Sequence, residues 1–225
     1  MVRFFENIDK IIYINLDNRE DRKKEIIEEC KRLQIPEDKI IRFPAIYHQE
    51  GAIGCSKSHI EVLTMAMRNN WKNYMVLEDD FHFINDTEFV DKVIHHFFES
   101  FPGDSWDVLH CSRGYFQDCT DSSIKYIQKI WDMSTSSCFI VNQHFYQTLL
   151  HNLTEGCEQL CLDPSNHSAY AMDRYWKKIM PSSNWYITNP SIGYQRTGLS
   201  SILGYVVDYI QYDKTLQFGN IPCTL

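Results

Sequence analysis

The run Ile11-Ile12-Tyr13-Ile14, with the break and helix that succeed it, constrains the fold most. Four β-favouring residues without polar alternation read as a strand buried on both faces. Asn15-Leu16-Asp17-Asn18 breaks the run, and Asp17 and Glu20 have the spacing of a capping box. From Arg19 to Leu33 the apolar residues Ile26, Ile27, Cys30 and Leu33 share one helical face. Pro36 closes that helix, and Ile40, Ile41 and Phe43 suggest a second strand. Strand, helix and strand in succession predict a parallel sheet.

The same alternation continues. Tyr47 to Gly54 reads as a loop with two glycines, and Cys55 to Asn70 as a helix with Ile60, Leu63 and Met67 inward. Asn73 to Leu77 is a buried strand, Asp91 to Phe98 a helix and Asp107 to Leu109 a short strand. Residues 112–137 are polar and Ser-rich, with a hairpin expected around Lys125 to Trp131. Phe139-Ile140-Val141 is a strand leading into a helix that ends near Leu153, and Glu155 to His167 is a loop. Ala169 to Met180 reads as a helix, Asn184 to Thr188 as a strand, and Pro190 to Ser201 as a polar loop. Without repeats or linkers, 225 residues predict one α/β domain.

Charge excludes one class of function. Twenty-two basic against 30 acidic residues give −8, which argues against a basic face for nucleic acid. An anionic ligand would need local help from a metal, a few arginines or backbone amides. Met1 to Lys10 carries Arg3, Glu6, Asp9 and Lys10 and no apolar core, so no signal peptide is predicted there. No apolar run reaches the roughly 20 residues of a spanning helix. A cytoplasmic or membrane-peripheral protein is expected over one in the ER lumen. The eight cysteines lack finger or ribbon spacing and are expected to be reduced thiols.

Glu78-Asp79-Asp80 is the most informative segment. Three acids stand directly after the strand Tyr74-Met75-Val76-Leu77, and open α/β sheets bind ligands beyond the carboxyl ends of their strands. While the chain stays extended, side chains at i and i+2 share a face, so Glu78 and Asp80 can converge. Such oxygen ligands suit Mn²⁺ or Mg²⁺, and that ion suits a diphosphate. In isolation the tripeptide reads more readily as an ordinary acidic turn, since such turns after strands are common. Asp17, Arg19 and Arg22 come after the first strand, where they can meet a ribose and phosphate or simply begin a helix. Ser58 and His59 stand near a predicted helix start, where they can support a phosphate or merely cap.

Three segments in order, "IYINLDNREDR", "GAIGCSKSHIEVL" and "WKNYMVLEDD", resemble glycosyltransferase family 25. That family includes bacterial lipooligosaccharide galactosyltransferases and the collagen galactosyltransferase domain. "SCFIVNQHFYQTLL", "YAMDRYW" and "NPSIGYQRTGLSSI" fit its later segments more loosely. The resemblance runs from about residue 10 to 203. It implies a GT-A-type fold with a central, mostly parallel sheet flanked by helices, an inverting transferase and a divalent metal. Across residues 1–225, it places nucleotide and metal motifs in 10–110, acceptor-side elements in 111–203 and a tail in 204–225. Glu78 and Asp80 match the metal motif, with Glu78 also near the donor. Asp17, Arg19, Arg22, Ser58 and His59 match the nucleotide-binding positions. Residues 111–137 match no family pattern, and Ser200-Ser201 stands where an acidic residue is often found.

An inverting transfer needs a carboxylate base for the acceptor hydroxyl and stabilisation of the leaving diphosphate. Asp173 matches the family's late aspartate and is the expected base, with a helix start favouring its ionised form. Asp163 and Glu155 are reserves, and Trp131, Tyr170, Trp176 and Trp185 are candidates to stack a sugar. The expected activity moves a hexose, galactose or glucose, from a UDP-sugar to a hydroxyl of a glycan or protein acceptor. The alternative is an inactive relative that keeps the fold and binds glycan or a partner. A phosphohydrolase using the same acids lacks a nucleophile motif.

Overall fold

The computed structural model describes residues 3–113, 116–121, 123–200, 202, 204–208 and 210. Its first elements show the expected alternation: β1 (Lys10–Asn15), α1 (Glu20–Arg32), β2 (Ile40–Pro44), α2 (Gly51–Arg68) and β3 (Asn73–Glu78). β4 (Phe81–Phe83), α3 (Thr87–Ser100) and β5 (Val108–His110) come next. A hairpin of β6 (Phe116–Asp121) and β7 (Ile127–Met133) precedes β8 (Cys138–Asn142) and α4 (Tyr146–Leu162). Short turns α5 (His167–Tyr170) and α6 (Met172–Tyr175) lead to β9 (Trp185–Thr188), β10 (Gly193–Gln195), β11 (Gly198–Leu199) and β12 (Val206–Val207).

One sheet has the order β2-β1-β3-β8-β5-β9-β7-β6. β1 is parallel to β2 and β3, and β5 is parallel to β9, whereas β7 and β8 run against their neighbours. Six of the eight strands therefore share one direction. The α/β class with a mostly parallel central sheet is the one expected. The strands ending at Asn15, Glu78 and His110 point their carboxyl ends the same way.

Helices cover both faces of the sheet, which is why its central strands β1, β3, β5 and β8 are mainly apolar. Ile11, Tyr13, Met75 and Leu77 pack into the layer containing Ile26, Cys30 and Val93. The alternate residues Ile12, Ile14, Tyr74 and Val76 pack into the layer containing Val62, Leu63 and Leu149. The period-2 alternation thus feeds two cores, and either face would be lost by a one-residue slip.

Several elements differ from expectation. α1 starts at Glu20 with no side-chain cap, because Asp17 turns away to Arg42. α2 begins four residues before Cys55, so Gly51 to Gly54 form its first turn. α4 continues past Leu153 to Leu162, so no loop begins at Glu155. Gly156 sits within that helix, where a Cβ would meet the Tyr175 side chain at 2.7 Å, so the glycine is a packing contact. Between Tyr170 and Met172 the extended Ala171 breaks the expected Ala169–Met180 helix. The predicted loop after Pro190 contains β10 and β11. No helix of the described residues is long and apolar enough to cross a membrane. Among the described cysteines, all seven are free thiols.

Candidate active site

A cavity of about 240 Å³ opens beyond the carboxyl ends of β1 and β3. Its walls are the turn after β1 (Leu16, Asn18, Arg19, Arg22), residues 45–48, one face of α2, the acidic tripeptide and the late residues Gln195, Ser200 and Ile202. All three N-terminal motifs therefore meet in one place. The sheet order explains this, since β1 and β3 are neighbours and the α2 crossover lies beside them.

The acids hold the centre. Burial pushes the Asp80 carboxyl up to about 7, and repulsion from Glu78 adds to it. Burial also raises Asp79, against the bond from Asn15. Burial opposes the charge on Glu78, but His59, Ser136 and Arg22 outweigh it and its pKa falls below the usual value. Arg22 Nη1 donates to Asp79 Oδ1 at 3.0 Å and lies 3.0 Å from Asp80 Oδ2. Arg22 Nη2 donates to the Leu199 carbonyl at 2.8 Å. One guanidinium thus balances two buried carboxylates and ties them to the late segment.

Glu78 and Asp80 converge as the i, i+2 spacing predicts. Gln195 Nε2 lies between them, 3.2 Å from Glu78 Oε2 and 3.4 Å from Asp80 Oδ1. Antiparallel pairing of β10 with β4 puts Gln195 opposite Phe81. A half-buried and a buried carboxylate meeting on one amide, with Asp80 driven toward neutrality, form a site short of positive charge. That donor set fits a hard divalent cation, and half a turn of the Gln195 amide would add its carbonyl oxygen.

Arg19 lines the cavity, with its guanidinium bonded to Asp21 at 2.8 Å and to the Leu199 carbonyl at 3.5 Å. Asp17 does not line it. Its carboxylate is exposed and paired with Arg42 at 2.5 Å. Asn15, buried at the end of β1, joins the turn to the acidic segment. Its amide donates to Asp79 Oδ2 at 2.8 Å and to the Arg19 carbonyl at 3.1 Å, and its oxygen accepts from Arg42.

Ser58 and His59 lie well inside α2, so neither caps a helix start. Ser58 Oγ donates to the Gly54 carbonyl at 2.7 Å and accepts from the Ile46 N–H at 2.8 Å. A Cβ on Gly54 would lie 2.5 Å from the Ile46 carbonyl oxygen. Together they let residues 45–48 lie directly on α2. His59 stacks on Phe139 and brings Nε2 to 3.6 Å from Glu78 Oε1. Cys55, one turn earlier, faces the same cavity.

Asp173 is half-buried in the first turn of α6 and is not among the cavity residues. Its pKa is raised by burial, and Arg174 and Lys177 only partly offset this. The helix-start argument for an easily ionised carboxylate therefore fails, because α6 is four residues long. Its charge nevertheless acts on Cys55 and Glu78, which places it on the cavity side of α2. Glu155 and Asp163 are exposed on α4 and at its end. Trp176 and Trp185 are fully buried core residues and cannot stack a sugar.

The model of glycosyltransferase family 25, described as an LPS biosynthesis protein family, matches residues 49–189. The chain belongs to glycosyltransferase family 25. A family 25 enzyme binds a sugar donor and an acceptor, and the sheet described above is the mostly parallel, helix-flanked sheet expected of it. No curated protein matches the chain in sequence. Among solved structures, it is similar to A197 from STIV, at 12% identity and TM-score 0.49 over 89% of this chain and 93% of that one. A mannose-1-phosphate geranyltransferase from Thermus thermophilus gives 11% identity and 0.47, over 80% of this chain and 72% of that one. A glycosyltransferase involved in glycosylation of the major capsid of PBCV-1 gives 8% and 0.43, over 80% and 93%. These distant likenesses say nothing about this chain's substrates.

Proposed function

We propose that this family 25 glycosyltransferase moves a hexose, galactose or glucose, from a UDP-sugar to a hydroxyl of a glycan or protein acceptor, with inversion and with Mn²⁺ or Mg²⁺. One observation carries the reading. Half-buried Glu78 and buried Asp80 converge in a cavity of about 240 Å³, beside Arg19 and Arg22. A net charge of −8 gives no long-range attraction for a nucleoside diphosphate, so binding rests on these local groups.

Glu78 and Asp80 would hold the cation, which when bound supplies positive charge to the departing diphosphate. Arg19 and Arg22 offer forked donors to phosphate oxygens once Leu199 releases them. Residues 45–48, held down by Gly54 and Ser58, form a wall for the base and ribose. His59 and Ser136 keep Glu78 ionised and oriented. Asp173 accepts the proton of the attacking hydroxyl, and its raised pKa suits a base better than an ordinary aspartate.

The test is a hydrolysis screen of UDP-sugars with and without Mn²⁺, since slow donor hydrolysis needs no acceptor. Release of UDP from one UDP-hexose, dependent on the ion, is expected. No release from any UDP-sugar, together with no ion-dependent UDP binding, would overturn the reading.

A further inference from the structure

Cys55, His59 and Glu78 form a group of which the donor reading uses the carboxylate and its histidine partner but not the thiol. Cys55 and His59 stand four apart on one face of α2, and Glu78 comes from the end of β3. The thiol sulfur, a ring nitrogen and a carboxylate oxygen lie within 4.8 Å of one another. The geometry points to a binding site for a borderline-soft divalent cation, Zn²⁺ by its chemistry, held by Cys55, His59 and Glu78.

Ligand type supports this assignment. Thiolate, imidazole and carboxylate are the three donors zinc combines, whereas Mg²⁺ and Mn²⁺ take oxygen. Bonds of about 2.0–2.3 Å at tetrahedral angles put ligand atoms about 3.3–3.8 Å apart. The His59–Glu78 pair already stands at 3.6 Å. Closing the remaining gap to the sulfur needs about 1 Å at most, within the reach of one side-chain rotation.

A second observation is independent of spacing. His59 is 3% exposed, and its Nε2 is buried without a hydrogen-bond partner. Such an atom carries a desolvation cost that a metal bond would remove. The three side chains also line the cavity, which leaves an entry path and room for a fourth ligand. Ser136 donates to Glu78 Oε1 as a supporting contact behind the site.

Glu78 offers its two oxygens in different directions: Oε1 faces His59 and Oε2 faces Gln195 beside Asp80. The site can therefore fill without nucleotide, and the inference stands whether or not the donor is a UDP-sugar. Bound zinc would fasten α2 to the end of β3.

The full chain, freed of metal by dialysis against a chelator, is titrated with Co²⁺ and then Zn²⁺ in the absence of nucleotide. One equivalent of Co²⁺ is expected to give a thiolate-to-cobalt charge-transfer band that Zn²⁺ abolishes. Cys55→Ser should lose the band, and His59→Gln should weaken Zn²⁺ binding at least tenfold, with circular dichroism confirming both folds. In the unaltered protein, Zn²⁺ should slow alkylation of Cys55 at least tenfold, read by mass spectrometry, and leave exposed Cys161 unaffected. That arm requires no variant to fold. Absence of the band, its persistence in Cys55→Ser through the Cys157/Cys161 pair, or unchanged alkylation of Cys55 would each overturn the assignment.

Discussion

Glu29 gives the sharpest stability prediction, because it is a buried charge whose partners are all visible. It lies on α1 at 4% exposure. It accepts from the Phe83 N–H at 2.8 Å and from Arg32 at 3.0 and 2.5 Å, and His82 Nδ1 lies 3.1 Å away. Burial alone would raise its pKa, but His82 and Arg32 outweigh it and hold the carboxyl at about 2 instead of 4.5. The folded value is depressed, so the stabilisation is present above the unfolded pKa and is lost as pH falls toward 2. At about 1.4 kcal/mol per pH unit, the charge contributes about 3 kcal/mol at pH 7 and about 1.5 kcal/mol at pH 3. Glu29→Gln keeps the shape and removes the charge. Urea unfolding at pH 7 is expected to show a loss of about 3 kcal/mol, with Tm lower by roughly 6–12 °C. The gap should halve by pH 3. A gap below about 0.5 kcal/mol at pH 7, or one that does not shrink in acid, would refute the reasoning. Glu29 anchors β4, which begins directly after Asp80, so UDP binding should weaken in the same variant.

Two further predictions concern the cavity. Gly54→Ala should destabilise by about 1–3 kcal/mol and weaken UDP binding, since its Cβ would press on the Ile46 carbonyl. Helix propensity alone predicts the opposite sign, a gain of about 1 kcal/mol, so the direction of the change in Tm decides. Asp173→Asn should lower turnover roughly 10²–10⁴-fold while UDP binding is kept. The raised pKa of Asp173 means the base loses its proton above the usual aspartate range, so activity should climb with pH there. The Asn variant should lack that rise; unchanged turnover would clear Asp173 of the role.

The sequence carried the sheet because its signal is strong and local. β1 and β3 are unbroken apolar runs, and only burial on both faces produces that pattern. The acidic motif was legible for the same reason, since Glu78 stands on the last residue of such a strand. Long-range partners were not. Gln195 reaches Glu78 across 117 positions, and although its segment "NPSIGYQRTGLSSI" loosely fits the family, the sequence alone does not bring it to the acidic motif. Asn15 resembled an ordinary strand end, yet it displaces Asp17 from the site by bonding Asp79 itself. Glycine misled in two places. Gly54 reads as part of a loop and Gly156 lies in a predicted loop, and both are helix residues whose missing Cβ admits a neighbouring segment. Asp173 was found through its motif, while the helix invoked to ionise it proved to be a single turn.

Mn²⁺-dependent UDP binding tests the central claim most directly. Calorimetry of the full chain with UDP is run with Mn²⁺ and with chelator, alongside Asp80→Ala. The converging carboxylates of Glu78 and Asp80 predict that UDP binds at least tenfold tighter with Mn²⁺, and that Asp80→Ala erases this gain. Circular dichroism of the variant should match the unaltered protein, because Arg22 keeps its pairing with Asp79 when the Asp80 carboxylate is removed. Equal UDP affinity with and without Mn²⁺, or a full Mn²⁺ effect in folded Asp80→Ala, would contradict the account.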